Sequence, residues 1–273
     1  MSELHKMMFP SGRLALFALT LVSITAPVRA AELVAAYHAS WAALPAADIE
    51  LSLDDATGEY RDRLAIRTKG VPRWFTHFAG NVTSEGALSA ASVAVPRRYD
   101  ALYDLRKRRN SHISMQVVAR DGGTLIERGP EDTSRKPPLD EVYRRNVIDP
   151  LTALTYLRQS LRTKPRTTGT DFSMPIYDGA RRFDVRWHIL PPEKPGDGVL
   201  RLELWLHPIA GFKGESSDDG DPDDSPRKVE LLLTDDDRLL PLYLRVSVAL
   251  LPLIVRFDHL CPDLDKCRTD EDQ

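Results

Sequence analysis

Phe183-Asp184-Val185-Arg186-Trp187-His188-Ile189 alternates apolar and polar side chains without a break. A period of two puts Phe183, Val185, Trp187 and Ile189 on one face of an extended chain and the polar residues on the other. The same alternation recurs along the chain. It places Ile49, Leu51 and Leu53 on one face, then Leu64 with Ile66, then Ile113, Met115 and Val117. Further on it sets out Leu200, Leu202, Leu204 and Leu206, and later Leu242, Leu244, Val246 and Val248. Few helical segments separate these runs, so the strands pair with their sequence neighbours as an antiparallel sheet rather than through crossovers.

One helix is expected. Asp149 is a good N-cap and Pro150 suits the first helical position. Leu151, Leu154, Leu157 and Leu161 then recur at helical spacing, and Arg158 and Arg162 lie toward the end where the helix dipole favours cations. A second, weaker helix is expected over residues 140–146. A lone helix with an apolar stripe must bury it, and the concave face of a curved sheet is where it fits. The expected fold is mainly β: a curved antiparallel sheet or half-barrel wrapping one amphipathic helix. Residues 31–260 form this single domain and 261–273 a C-terminal tail. Residues 129–138, rich in proline, and 214–226, rich in aspartate, read as mobile loops. Asp235-Asp236-Asp237 reads as a hairpin turn.

Residues 1–30 read as a secretory signal peptide. His5, Lys6 and Arg13 precede an uncharged run from Leu14 to Val28, and Val28-Arg29-Ala30 offers a cleavage site after Ala30. That run is shorter than the ~20 residues a spanning helix needs. The expected location is the periplasm. Cleavage removes Glu3, Lys6, Arg13 and Arg29, moving the formal charge from -3 to -5. This balance argues against a nucleic-acid partner.

The chain carries no G-x-S-x-G elbow, phosphate loop, dinucleotide fingerprint or H-E-x-x-H motif. None of its seven histidines pairs with another at metal-ligand spacing on one element. The expectation is therefore no enzyme, no cofactor and no metal. Cys261 and Cys267 are close enough in sequence to close a small disulfide loop in an oxidising compartment. Arg106-Lys107-Arg108-Arg109 is the densest basic run, either a solvated hairpin end or a contact for anionic lipid or polysaccharide. Trp41, Trp74, Phe183, Trp187 and Trp205 either form ordinary core or line an apolar cavity.

Four stretches taken together resemble a known family. They are Asp149-Pro150-Leu151-Thr152-Ala153-Leu154, Tyr177-Asp178-Gly179-Ala180-Arg181-Arg182-Phe183-Asp184, Pro208-Ile209-Ala210-Gly211-Phe212 and Leu240-Pro241-Leu242-Tyr243-Leu244. Their order and spacing are similar to the bacterial secreted family termed domain of unknown function 3108, over about Ala36 to Phe257. The resemblance implies an extracytoplasmic β-rich protein similar to the half-barrels of lipoprotein carriers, and no catalytic residues. Its motif residues Asp149, Pro150, Asp178, Gly179, Arg182 and Gly211 have structural explanations as caps, turns and an ion pair. Three functions follow as expectations. The first is a non-enzymatic envelope protein that binds a lipid or other hydrophobic ligand. The second is a structural or protein-interaction module of the envelope. The third is an envelope glycan hydrolase using Asp178 and Asp184.

Overall fold

The computed structural model describes residues 32–55, 58–70, 78–89, 94–105, 108–134, 137–194, 196–212, 225–248 and 251–267. The expected signal peptide, Trp74, Arg106, Lys107 and most of the aspartate-rich loop lie outside the described residues.

Among the described residues, thirteen strands form one antiparallel sheet. The first seven are β1 (Leu33–Trp41), β2 (Leu44–Asp54), β3 (Glu59–Thr68), β4 (Ala79–Leu88), β5 (Ala94–Leu105), β6 (Arg108–Arg120) and β7 (Gly123–Arg128). Two helices follow, α1 (Glu141–Arg144) and α2 (Pro150–Thr163). The chain then returns through β8 (Asp171–Tyr177), β9 (Arg182–Ile189), β10 (Val199–Ala210), β11 (Arg227–Thr234), β12 (Pro241–Val248) and β13 (Leu251–Leu260). Each half is a meander of neighbouring hairpins. The two halves join where β13 pairs with β1, leaving β7 and β8 as the edges.

Those edges are stitched together by the residues between the helices. Arg145 bridges Leu125 of β7 and Ile148 bridges Ile176 of β8. Asn146 donates to the Thr124 carbonyl and accepts from the Thr124 N–H on its side-chain oxygen. Unpaired sheet edges invite association with other chains, and this connection covers part of both. It also explains why the expected helix at 140–146 is a single turn. Arg145 has extended backbone and joins β7, and Asn146 takes a left-handed φ of 50°.

All six expected alternating runs lie in strands: β2, β3, β6, β9, β10 and β12. The expected long helix is present as α2, capped by Asp149, whose side chain accepts from the Leu151 and Thr152 N–H groups. The sheet curls around it, with α2 packing against β3, β4 and β5 on one side and β8 on the other. Its apolar stripe joins both cores. Leu151 sits with the inner residues of the first seven strands, and Leu157 and Leu161 with those of β8 to β11.

The described part of 129–138 is tied to β6: the Gly129 N–H donates to the Ser114 carbonyl, the Thr133 N–H to the His112 carbonyl, and Asp132 accepts from the Ser114 N–H. The described part of the tail is anchored to the sheet. Cys261 and Cys267 form a disulfide with Cα atoms 5.1 Å apart, and Cys267 is buried against Val34 and Ala36 on the outer face of β1.

Candidate functional site: a polar plug beneath an apolar mouth

The barrel-like sheet has two ends. The upper end carries the β1–β2, β3–β4, β5–β6, β8–β9, β10–β11 and β12–β13 connections; the lower end carries the rest. Helix α2 begins near mid-height and runs to the lower end. Asp149 meets Ser84 in the middle of β4, whereas Arg158 and Arg162 reach Asp55 and the β11–β12 turn.

The helix is buried on more than its leucine stripe. Thr152, Thr155, Arg158 and Gln159 are buried too: the two threonines meet polar residues on the inner faces of β3 and β4, and Arg158 and Gln159 meet Asp55 in the β2–β3 turn. The Ser84 hydroxyl donates to Asp149 Oδ2 at 3.0 Å, and Thr152 donates to the same oxygen. The Thr152 hydroxyl also lies 2.8 Å from Ser84 Oγ and 2.6 Å from the Tyr60 hydroxyl. One turn on, Thr155 donates to Asp62 Oδ2. The other Asp62 oxygen and the Tyr37 hydroxyl are buried and have no hydrogen-bond partner among the described residues. Burial pushes the Asp62 carboxyl up to about 7, against the pull of Thr155 and Arg158. Burial likewise raises Asp149, against four hydrogen bonds that favour its charged form. The Tyr37, Tyr60 and Tyr99 hydroxyls are held protonated by desolvation.

At the lower end Arg158 is almost wholly enclosed. Its Nη1 sits 3.1 Å from Asp55 Oδ2, and its Nη2 donates to the Arg238 carbonyl at 2.8 Å. Arg162 donates to the same Asp55 oxygen and to the Asp237 carbonyl. Desolvation lowers the Arg158 pKa, and the Asp55 charge opposes that shift. These contacts lock the helix C-terminus to two turns and close this end with charge.

The upper end is different. Inner-face residues of β1 from Leu33 to Ala39 are buried, but Trp41 at the top is half-exposed. On β10, Leu200, Leu202 and Leu204 are buried and Leu206 only partly. On β9, Val185, Trp187 and Ile189 are buried and Phe183 partly. Ile66, Val246 and Leu253 are likewise half-buried, and Leu44 and Leu251 are exposed. The side chains facing the hollow thus stay apolar while their burial falls toward the rim.

The tryptophans do not gather in one cavity. Trp187 is buried and stacked on Phe172, ring centroids 3.9 Å apart. Phe183 packs at the edge of the same core. Trp205 lies on the outer face, donating from Nε1 to Glu203 with Lys228 above its ring, because the alternation that points Leu204 and Leu206 inward points Trp205 outward. Trp41 lies on the exposed upper rim. Arg108 and Arg109 open β6 at this same rim.

The motif residues serve the backbone. Asp178 accepts from the Ala180 and Arg181 N–H groups and from Arg181 Nε, and Arg182 pairs with Asp184 at 2.6 Å. The two acids proposed for hydrolysis are thereby occupied in one hairpin. Gly179 has φ 94°, and a Cβ there would fall 2.6 Å from Ile113 Cγ2. Gly211 has φ 82°, and its Cβ would fall 2.3 Å from the Ala180 carbonyl. Sequence reasoning missed the polar plug. Its traces were Asp62 at an inward position of β3 and the Thr152, Thr155, Gln159 stripe beside the leucines.

Among the described residues, one group, on the outer face, has ligand atoms close enough for a metal ion: Asp100, His112 and Glu131, mutually within 4.8 Å. Arg98 already donates to both carboxylates, and His112 Nε2 lies 3.0 Å from Asp100. Burial alone would raise Asp100, but bonds from Arg98, Ser114 and His112 outweigh it and hold its carboxyl below the usual range. The guanidinium supplies the positive charge that a metal would bring.

The architecture matches a solved structure described as a β-barrel-like protein of domain of unknown function DUF1849 from Brucella abortus. The match has a TM-score of 0.52 at 10% identity and covers 85% of this chain and 98% of that one. At that identity the likeness is one of fold. No curated protein matches the chain. Residues 36–250 match the family described as protein of unknown function (DUF3108), and the chain belongs to that family.

Proposed function

We propose that this protein acts outside the cytoplasm as a non-enzymatic binder of a lipid or similar hydrophobic ligand, held in the upper mouth of the sheet. The observation carrying this reading is the gradient of burial along the inner face. The lower half is filled by α2 and sealed by Arg158, Asp55 and Arg162. The upper half presents Ile66, Leu206, Val246 and Leu253 only half-buried. Apolar side chains left partly uncovered on a concave face favour an apolar guest. Asp178 and Asp184, the acids considered for hydrolysis, are engaged in a turn and an ion pair, which supports a binding role over a chemical one.

Protein recovered from an envelope fraction without detergent tests this. Native mass spectrometry is expected to show a bound amphiphile, and a fluorescent fatty acid is expected to compete with it. Leu253→Arg places a charge on the half-buried inner face and is expected to abolish both signals while the fold persists by circular dichroism. Protein that emerges ligand-free and does not take up the probe refutes the reading. An envelope protein crosslinked specifically to such ligand-free material would point instead to the interaction module.

A further inference from the structure

Strands β1 and β2 are joined by a two-residue turn, Ala42-Ala43, with φ values of 51° and 64°. Turns of this hand normally use Asn-Gly or glycine, because a Cβ in the left-handed region costs roughly 1–2 kcal/mol per residue. Two alanines keep the turn free of any polar side chain. Trp41 and Leu44 face each other across it and are 48% and 53% exposed. Strand β13 lies beside β1 with Leu253 opposite Trp41, and Leu251, 45% exposed, opens that strand. Residues 39–47 and 251–255 contain no charge.

We propose that this rim docks on a lipid bilayer, the tip at residues 41–44 entering the interface with Leu251 beside it. The tip is narrow, whereas a stable protein partner covers about 800 Å² on each side. Tryptophan favours the headgroup level of a membrane, where its ring is half in grease and half in water. The tip borders the apolar mouth. As a route by which a ligand enters from the bilayer, docking rests on the ligand-binding reading; as a membrane contact it stands separately.

The only two cysteines form the disulfide, so a new cysteine can be labelled uniquely. The full chain is made as Ala43→Cys, and separately as Asp121→Cys in the β6–β7 turn at the lower end. Each carries an environment-sensitive fluorophore. With vesicles of phosphatidylethanolamine and phosphatidylglycerol, the tip label is expected to shift blue and be quenched by brominated lipid, and the lower label to stay in water. Because the signal is local, an apolar leader still attached cannot imitate it. The shift is expected to survive high salt, since apolar insertion rather than charge carries it. Trp41→Ser with Leu251→Ser is expected to weaken partitioning about fivefold per side chain, the half-burial of each being at stake. A tip label that remains in water while the protein floats with vesicles overturns the proposal. So does a shift abolished by salt, or one that needs no vesicles and rises with protein concentration, which would mark a second copy. Native mass spectrometry of the double serine variant separates the two readings: ligand kept while docking is lost leaves the mouth intact.

Discussion

Asp62→Asn tests the polar plug most directly. Asp62 is fully buried on the inner face of β3, takes one hydrogen bond from Thr155, and has its second oxygen unpartnered among the described residues. Its carboxyl is raised from 3.8 to about 7 by burial. A folded-state pKa above the unfolded one means the native state binds the proton more tightly. Stability is therefore highest below about pH 4 as far as this group is concerned, falls as pH rises toward 7, and is level above that. The loss between pH 5 and pH 8 amounts to about 2–3 kcal/mol. For a domain of this size that is about 5–10 °C in Tm. Asn keeps an acceptor for Thr155 but does not titrate. It puts an amide donor where the carboxylate oxygen has no hydrogen-bond partner among the described residues, a pH-independent penalty of about 1–3 kcal/mol. Urea unfolding followed by circular dichroism at several pH values gives both slopes. The variant is expected to start less stable at pH 5 and to lose most of the wild-type decline. Asp149, also raised by burial, leaves a residual slope. Equal slopes in the two proteins would refute the reasoning.

Asp149→Ala removes an acceptor of four hydrogen bonds, two from helix N–H groups and two from Ser84 and Thr152. Denaturant unfolding is expected to show a loss of about 2–4 kcal/mol, above an ordinary cap because two buried hydroxyls also lose one of their partners. Asp55→Asn leaves Arg158 enclosed without its counter-charge and is expected to destabilise by about 3–5 kcal/mol, whereas a double exchange with Arg158→Leu should recover part of it in the same assay. Gly211→Ala drives a Cβ into the Ala180 carbonyl and should lower Tm more than Gly179→Ala, whose clash is with a side chain that Ile113→Ala can remove. Reducing Cys261–Cys267 opens only a short loop, so unfolding with and without reductant should differ by about 2 kcal/mol.

The strands that alternation revealed are those whose inward residues are large and apolar. Strand β4 was not legible because its inward positions are Gly80, Val82, Ser84 and Gly86. Such small residues allow a helix and neighbouring rings to approach: a Cβ at Gly86 would fall 2.7 Å from the Tyr60 ring, and Ser84 reaches the helix cap. Strand β1 hid for a similar reason, its inward Ala35 and Ala39 being too small to register. Asp149 and Pro150 announced the helix start, since capping is a local matter. The partners of Arg158 were not legible, because Asp55 lies a hundred residues away and only the curl of the sheet brings it close. An arginine near a helix end has an adequate local explanation in the dipole, and that hid the long-range one.

The stitch between β7 and β8 sets where the hollow can be filled. Residues 145–148 are pinned to both edges, so the next residue, Asp149, has its height fixed by backbone pairing rather than by the helix. From there α2 can only descend, and its 14 residues span about 21 Å to the lower turns. Strands such as β6, with 13 residues, extend about 43 Å. Tilt shortens their projection but leaves the inner face taller than its helix. Among the described residues, filling the remainder falls to side chains of the sheet and to the β8–β9 turn at Gly179, and at the rim the sheet offers half-exposed leucine, valine, isoleucine and tryptophan. A protein selected only for stability would place polar residues there, as it does along the outer faces of the same strands at Asp48, Arg67, Glu203 and Arg245. The retention of half-exposed apolar side chains on the upper part of the concave face, above a helix fixed too low to reach them, is what favours the proposed guest at that end.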